Sequence, residues 1–299
     1  MKKSVSLLLA GLMLCGALAG CGGNNNTAEN TDSQTEQTSE STGTSGAIHV
    51  VSREDGSGTR GAFVELTGVE DDNGDNTTVD AEIANRTDAV LTTVAGNEAA
   101  IGYVSLGSLN DTVKAVTVDG VEATVDNVKS GTYTLSRPFN IATKGEPTGV
   151  AKDFINFILS ADGQAIVEEE NYIKVDDAAP AFTSDGSSGQ IAVGGSSSVS
   201  PVMEKLIEAY QTVNPNAKIE LQTSDSTSGM TGAMDGTFAI GMASRELKDE
   251  EAAQLTGTAI ALDGIAVIVN TANTVENLTM DQIRSIYVGE TTDWADVAA

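Results

Sequence analysis

The sequence predicts an α/β fold, and three observations support this prediction. Short β-rich runs alternate with segments whose apolar residues recur at helical intervals, which is the order typical of α/β proteins. Turns rich in glycine and serine follow several predicted strands and lead directly into helices. The chain has 299 residues, which is enough for one large domain or two modest ones with a sizeable core.

The first half of the chain contains two clear predicted strands and two clear predicted helices. We expect strands at 48–52 and 100–106. A glycine-rich turn at 55–59 leads into a helix with Phe63, Val64 and Leu66 on its apolar side. Helical spacing of apolar residues predicts a further helix at 150–159.

The second half repeats this pattern. Strands are expected at 191–193, 218–222, 239–243 and 260–269, with turns at 194–198 and 224–229 that each lead into a helix. Pro201 suits the first turn of its helix, where a missing N–H costs nothing. Thr279 and Gln282 have the spacing of a capping box for a helix ending near Tyr287.

Charge and residue counts exclude several classes of function. The chain has 16 Lys and Arg against 43 Asp and Glu, a net charge of −27. Because nucleic-acid backbones are bound mainly by Lys and Arg, we expect no nucleic-acid partner. With one histidine, His49, and two cysteines, the chain cannot assemble a zinc site of the usual Cys/His kinds. No metal or other cofactor is expected.

The N-terminal region is predicted to be an export signal followed by a tether. Lys2 and Lys3 precede an uncharged apolar run, and residues 18–21 read LAGC, which resembles the bacterial lipobox. We therefore predict a lipoprotein signal peptide at 1–20 and lipidation of Cys21, which would hold the protein at the membrane surface. The alternative is an ordinary secreted protein with a stray cysteine. Residues 21–47 are polar and are predicted to form a disordered tether.

Three of the strand–turn–helix junctions carry small hydroxyl residues. They lie at 53–59, 194–198 and 224–229, and the first also contains Arg53. Free backbone N–H groups and hydroxyls at a helix N-terminus suit a tetrahedral oxyanion and need no positive surface. The simpler alternative is that these residues only cap helices and form turns.

Four segments carry a resemblance to a known family. Residues 52–60 read SREDGSGTR, 195–201 read GSSSVSP, 239–245 read AIGMASR and 263–267 read DGIAV. Together they resemble the substrate-binding lipoproteins of bacterial ABC phosphate importers, the PstS family. The resemblance implies a two-lobed type II periplasmic-binding-protein fold with a hinge. It also implies a protein, not an enzyme, on the extracellular face that captures inorganic phosphate and delivers it to ABC permease subunits.

The order of these segments differs from the usual family order, so the sequence resembles a circularly permuted member. The resemblance then implies one lobe from 48–135 and 259–299, and a second lobe from 136–258. The hinge crossings are expected near 136–138 and Thr258. A permuted order also predicts that Ala47 lies close to residues 294–297.

The resemblance implies a set of phosphate ligands. Arg53 would pair with phosphate oxygens and be held by Asp55, and some members have an aspartate acceptor where this chain has Ser244. Either Ser244 or Asp55 could then accept the phosphate proton. The remaining expected ligands are the hydroxyls or backbone N–H groups of Ser57, Gly58, Thr59, Ser197, Ser198 and Ser226.

Three other interpretations stay open at this point. The first is a binding protein for another tetrahedral oxyanion, such as sulfate or molybdate. The second is a surface hydrolase with Ser57 as nucleophile and His49 as base, although no glycine elbow supports it. The third is a calcium loop, for which Asp71, Asn73, Asp75 and Glu82 have EF-hand-like spacing, although Asn76 replaces the usual glycine. An acidic solvated loop is the preferred interpretation there.

Overall fold

The computed structural model describes residues 44–297. The predicted signal peptide, Cys21 and the tether up to residue 43 lie outside the described residues. The strands are β1 (His49–Arg53), β2 (Glu70–Asp71), β3 (Gly74–Asp75), β4 (Glu82–Ala84), β5 (Ala100–Ser105), β6 (Val113–Ala115), β7 (Thr117–Val118), β8 (Ser136–Thr143), β9 (Ile173–Lys174), β10 (Gly189–Ser196), β11 (Ala217–Ser224), β12 (Ile240–Ala243), β13 (Thr256–Asn270) and β14 (Asn277–Leu278).

The α-helices are α1 (Gly58–Thr67), α2 (Thr87–Ala95), α3 (Val125–Lys129), α4 (Gly149–Ile158), α5 (Ala161–Glu169), α6 (Ser200–Val213), α7 (Ser226–Asp235), α8 (Asp249–Ala252) and α9 (Met280–Tyr287). The expected strands and helices are all present at these positions. Leu66 differs from the prediction, since it is 38% exposed and does not join the apolar side of α1. The predicted capping box of α9 is confirmed by reciprocal hydrogen bonds between Thr279 and Gln282.

A mixed sheet runs through the molecule in the order β11-β10-β12-β8-β13-β5-β1-β4. Strand β13 joins its two halves, because residues 256–264 pair with β8 and residues 265–269 pair with β5. Strands β6 and β9 also pair with β13. The long strand β13 and its partner β8 are therefore the backbone connection between the two halves of the sheet.

Apolar side chains pack into separate clusters on the two halves. On the β5 side, Phe63 stacks on Tyr103 at 3.9 Å between ring centroids, and Tyr287 packs against both rings. On the β8 side, Phe154 and Tyr210 anchor another cluster, with ring centroids 5.1 Å apart. Each half thus buries its own apolar side chains, and the sheet carries the chain from one to the other.

Parallel pairing within each half of the sheet directs several helix starts toward the other half. Strand β1 is parallel to β4 and β5, and β10 is parallel to β11 and β12. Helices α1, α2, α6 and α7 follow β1, β4, β10 and β11 directly. The two parallel sets run in opposite directions, because β13 is antiparallel to both β5 and β8, and β8 is antiparallel to β12. Since ligands of α/β sheets bind beyond the carboxyl ends of parallel strands, a site is expected where the two sets of carboxyl ends meet.

The two ends of the described chain lie side by side. Ala47 forms a bridge with Asp293, the Ile48 N–H donates to the Thr292 carbonyl at 2.8 Å, and the Trp294 N–H donates to the Gly46 carbonyl at 3.0 Å. The expectation that Ala47 lies close to 294–297 is confirmed. Residues 44–47, which the sequence assigned to the tether, are hydrogen-bonded to Thr274 and Asp293. Among the described residues, no helix has the length and apolar character needed to cross a bilayer.

Candidate functional site

A cluster of buried hydroxyl groups lies where four helices begin. Thr59 and Thr87 come from the first turns of α1 and α2, and Ser226 begins α7. Both threonines are hydrogen-bonded to Ser198 in the other half of the sheet. Thr59 Oγ1 lies 2.9 Å from Ser198 Oγ, and Thr87 Oγ1 lies 3.2 Å from the same atom. We call the set the hydroxyl cluster; its members, all buried, are Thr59, Thr87, Ser196, Ser197, Ser198, Ser226 and Ser244.

Helix geometry makes this cluster attractive to anions. The first N–H groups of an α-helix have no partner within the helix, and the helix dipole places partial positive charge there. Four such ends, those of α1, α2, α6 and α7, contribute residues to or directly beside the cluster. An anion at this position would be bound without a positive surface, as the net charge of −27 requires.

Arg53 brings a full positive charge to the cluster. Its side chain is 3% exposed, and its Nη2 donates to Ser197 Oγ at 3.1 Å. Nε and Nη2 also donate to the two carboxylate oxygens of Glu54, both at 2.7 Å. The two-point pairing fixes the guanidinium plane beside the hydroxyls.

The predicted pairing of Arg53 with Asp55 is wrong. The Asp55 side chain is 97% exposed, and its Oδ1 accepts from Arg60 Nη1 at 2.7 Å. Arg60 also pairs with Asp75. Asp55 lies in the turn after β1, where the backbone turns its side chain toward solvent and toward Arg60 on α1. The structure therefore does not bring Asp55 to the hydroxyl cluster.

Ser57 and Gly58 shape the start of α1. Ser57 Oγ accepts from the Arg60 N–H at 3.3 Å, so this hydroxyl is the N-cap of the helix. A Cβ on Gly58 would lie 2.8 Å from Ser244 Oγ, which is closer than real side chains approach. Glycine at this position therefore allows the N-terminus of α1 to contact β12 and the residues that follow it.

Four hydroxyl oxygens of the cluster accept hydrogen bonds from named donors. Ser197 Oγ accepts from Arg53, Ser226 Oγ accepts from the Ser244 N–H at 3.1 Å, and Ser244 Oγ accepts from Ser196 Oγ at 3.0 Å. Thr59 Oγ1 accepts from Arg137 Nη2 at 3.0 Å. Each of these hydroxyls keeps its own proton, which it can donate to a neighbouring hydroxyl or to an oxyanion.

Comparison with known proteins identifies the family of this chain. A family model described as a PBP superfamily domain matches residues 17–162 and 180–299. Phosphate-binding protein PstS 2 of Streptococcus agalactiae serotype V is 48% identical over 304 residues, covering 99% of this chain and 98% of that protein. The chain belongs to the PstS family of the PBP superfamily.

Two pneumococcal relatives extend this result. PstS 2 of Streptococcus pneumoniae serotype 4 is 44% identical over 297 residues, covering 98% of both chains. The crystal structure of a phosphate-binding protein of a phosphate ABC transporter from S. pneumoniae TIGR4 is 46% identical, with a TM-score of 0.69. It covers 85% of this chain and 100% of that one. The expected periplasmic-binding-protein fold is confirmed, and these PstS relatives share the segment order of this chain along nearly their whole length.

The structure adds residues to the site that the sequence interpretation missed. Thr87 follows β4 and begins α2, so it belongs to a fourth strand–turn–helix junction beside the cluster. Arg137 on β8 reaches Thr59, and Ser196 donates to Ser244. Recognising the short strand β4 in the sequence would have predicted the position of Thr87. The position of Arg137 depends on the pairing of β8 with strands far along the chain and could not be predicted locally.

Two of the alternative interpretations, the hydrolase and the calcium loop, lose their geometric basis. His49 Nε2 contacts Glu82 Oε2 at 2.8 Å, while Ser57 Oγ caps α1; no hydrogen bond joins His49 and Ser57 in the described chain. The PstS relatives are likewise named for binding and not for catalysis. In the calcium-loop candidate, Asp75 pairs with Arg60, and residues 44–297 contain no group of three or more His, Cys, Asp or Glu that could hold a metal.

Proposed function

We propose that this protein captures inorganic phosphate outside the cell and delivers it to an ABC importer. The observation that carries the proposal is the convergence of four helix N-termini and the buried guanidinium of Arg53 on one hydroxyl cluster. Phosphate offers four oxygens to these donors, and a buried arginine compensates its charge. The relatives described above are named as phosphate-binding proteins, which supports the same ligand.

The proposed ligands come from both halves of the sheet. Arg53, Ser57, Gly58 and Thr59 would act from the β1–α1 junction, with Ser57 acting mainly as the cap that shapes it. The other half would contribute Ser197, Ser198, Ser226 and Ser244. Asp55 is left out because its side chain faces solvent. Thr87 is added because it contacts both Ser197 and Ser198.

Ser244 offers an oxygen that can accept the proton of phosphate. Phosphate near neutral pH carries at least one proton, whereas sulfate carries none. Ser244 Oγ uses one lone pair for Ser196, and a hydroxyl has a second lone pair for the phosphate proton. We therefore assign the proton acceptor to Ser244 and not to Asp55. Sulfate or molybdate binding is the competing function that the experiment below must exclude.

The two halves are proposed to act as lobes that close over the anion. Residues 48–135 and 259–299 would form one lobe and residues 136–258 the other, with β8 and β13 as hinge strands. Separate apolar clusters and the change of partner of β13 support this division. The closed lobes would then dock on the permease subunits of the importer.

The N-terminal sequence supports attachment to the membrane through a lipid on Cys21. Intact mass and detergent partitioning of the protein from its native host would test this. A lipid mass on the peptide that begins at Cys21, absent in Cys21→Ser, supports the anchor. A soluble protein with an unmodified Cys21 contradicts it, while leaving phosphate capture untouched.

Calorimetric titration of the purified protein with phosphate, sulfate and molybdate tests the function itself. We expect saturable binding of one phosphate per chain and sulfate affinity lower by at least about two orders of magnitude, or ~2.7 kcal/mol. Equal affinity for sulfate would make the protein a general oxyanion binder. If titration with phosphate gives no heat of binding and equilibrium dialysis also detects no bound phosphate, the proposal is contradicted.

A further inference from the structure

A second arginine lies buried behind the hydroxyl cluster. Arg137 on β8 faces Asp263 on β13 as its register partner, with Nη1 3.0 Å from Oδ2. Their side chains are 2% and 0% exposed. A buried ion pair is weak evidence for stability, because the cost of removing both charges from water offsets their attraction. Stability alone therefore does not account for this pair.

The other face of Arg137 contacts a proposed phosphate ligand. Its Nη2 donates to Thr59 Oγ1 at 3.0 Å. A guanidinium has no acceptor, so the Thr59 oxygen must accept this bond and its own proton is directed elsewhere. Within residues 44–297, the buried Nε of Arg137 has no hydrogen-bond partner. The guanidinium thus contacts both the hinge strand β13 and the hydroxyl cluster.

The charges around Arg137 interact with one another. Burial lowers the pKa of Arg137, Asp263 raises it, and the positive charge of Arg53 lowers it again. Burial raises the pKa of Asp263 to about 6, although Arg137 acts in the opposite direction. Arg137 and Asp263 form an ion pair, so neutralising one member changes the charge behind the cluster by one unit. Since Arg137 Nη2 lies 3.0 Å from Thr59 Oγ1, that change acts on an anion bound by Thr59.

We propose that Arg137 is a positioning residue of the anion site, which fixes Thr59 as a donor and adds positive charge, and that Asp263 moderates this charge. The proposal rests on the proposed function, because the anion it serves is phosphate. Both residues lie on the hinge strands, so Arg137 links the hinge to the ligand. Its charge attracts the anion even though its guanidinium contacts Thr59.

The test compares phosphate affinities of variants that change the charge in opposite directions. We expect Arg137→Gln to weaken binding at least about tenfold, and Arg137→Lys to recover part of this loss because the charge returns. Asp263→Asn should bind phosphate as tightly as wild type or up to about tenfold more tightly, because the positive charge is no longer balanced. Arg284→Gln, which removes a half-exposed arginine on α9, is the matched control.

A purely structural pair predicts a different pattern, in which neutralising either partner weakens binding. That result would overturn the proposal. If a single variant does not fold, the double variant Arg137→Gln/Asp263→Asn replaces it, because this variant leaves no unpaired buried charge. We expect the double variant to bind phosphate at least about fivefold more weakly than the wild-type protein. Wild-type affinity in this double variant would overturn the inference alone. A wild-type protein that binds no phosphate would overturn both the inference and the proposed function.

Discussion

Arg53 and Glu54, neighbours in sequence, form a two-point ion pair in which both N–O distances are 2.7 Å. The pair lies at the end of β1, and the same guanidinium donates to Ser197 from the other half of the sheet. Glu54 therefore fixes the plane of the guanidinium beside the hydroxyl cluster. Asp55, the carboxylate indicated by the family resemblance, instead pairs with Arg60 at the surface.

Arg53→Ala is expected to weaken phosphate binding more than any single hydroxyl substitution. It removes a charge-assisted bond to a desolvated anion, which costs about 2–5 kcal/mol. Arg86→Ala is the matched control, since Arg86 stands at the start of α2 but is 60% exposed and pairs with Asp88. Titration calorimetry should show little change for Arg86→Ala. Equal losses in both variants would mean that only overall charge matters and would contradict the site.

Neighbouring carboxylates should respond differently to amide substitution. Glu54→Gln is expected to lower phosphate affinity about tenfold, or ~1.4 kcal/mol, because the Arg53 fork loses its two-point carboxylate partner. Asp55→Asn should leave affinity and the phosphate/sulfate ratio within about twofold, because its side chain is 97% exposed. Competition binding with labelled phosphate and excess sulfate measures both quantities. A loss of selectivity in Asp55→Asn would restore Asp55 as the proton acceptor.

Thr59→Val should cost about 1–3 kcal/mol of phosphate binding, because it removes the hydroxyl but keeps the shape and the backbone N–H. Thr59→Ser should recover most of this loss. Thr92→Val, on the exposed side of α2, is the control for a threonine outside the cluster. Wild-type affinity in Thr59→Val would place the anion away from α1.

The buried carboxylate of Asp153, which lies outside the site, should make the stability of the fold sensitive to acid. Burial raises the pKa of Asp153, but hydrogen bonds from the Asp185 N–H, Ser184, Tyr210 and Asn214 outweigh it and lower the pKa below 3.8. A carboxyl whose pKa is lower in the folded state stabilises the fold above its unfolded pKa. This stability is lost as the pH falls through the folded pKa.

Urea unfolding midpoints at pH 6 and pH 3 test this contribution. We expect Asp153→Asn to lower the free energy of unfolding by about 1–3 kcal/mol at pH 6 and to show a smaller further loss at pH 3 than wild type. Asp111→Asn, at an exposed position, is the control. Parallel losses in wild type and Asp153→Asn between the two pH values would show that other groups govern acid unfolding.

Local patterns were sufficient for much of the fold. Helical spacing and the glycine–serine turns predicted α1, α4, α6 and α7, and the Thr279–Gln282 box predicted the start of α9. These features depend on residues within a few positions of one another, where propensity and capping decide. The prediction that Leu66 lies on the apolar side of α1 was wrong, because the last turn of the helix leaves this side chain partly at the surface. Only tertiary packing determines that exposure.

The site was harder to predict from the sequence than the fold, because its contacts join distant segments. The hydrogen bond of Arg137 to Thr59 spans 78 residues, and that of Thr59 to Ser198 spans 139. The exchange of roles between Glu54 and Asp55 depends on the direction in which the backbone turns after β1. A motif gives the residues in order but not the direction of each side chain.

A crystal structure with arsenate would show whether the anion binds at the hydroxyl cluster. Arsenate has the tetrahedral shape and protonation of phosphate, and arsenic is located by its anomalous scattering. We expect one strong arsenic position per chain, with oxygens within hydrogen-bond distance of Arg53, Thr59 and Ser197. An arsenic position elsewhere, with none at the cluster, would show that the hydroxyl cluster is not the phosphate site.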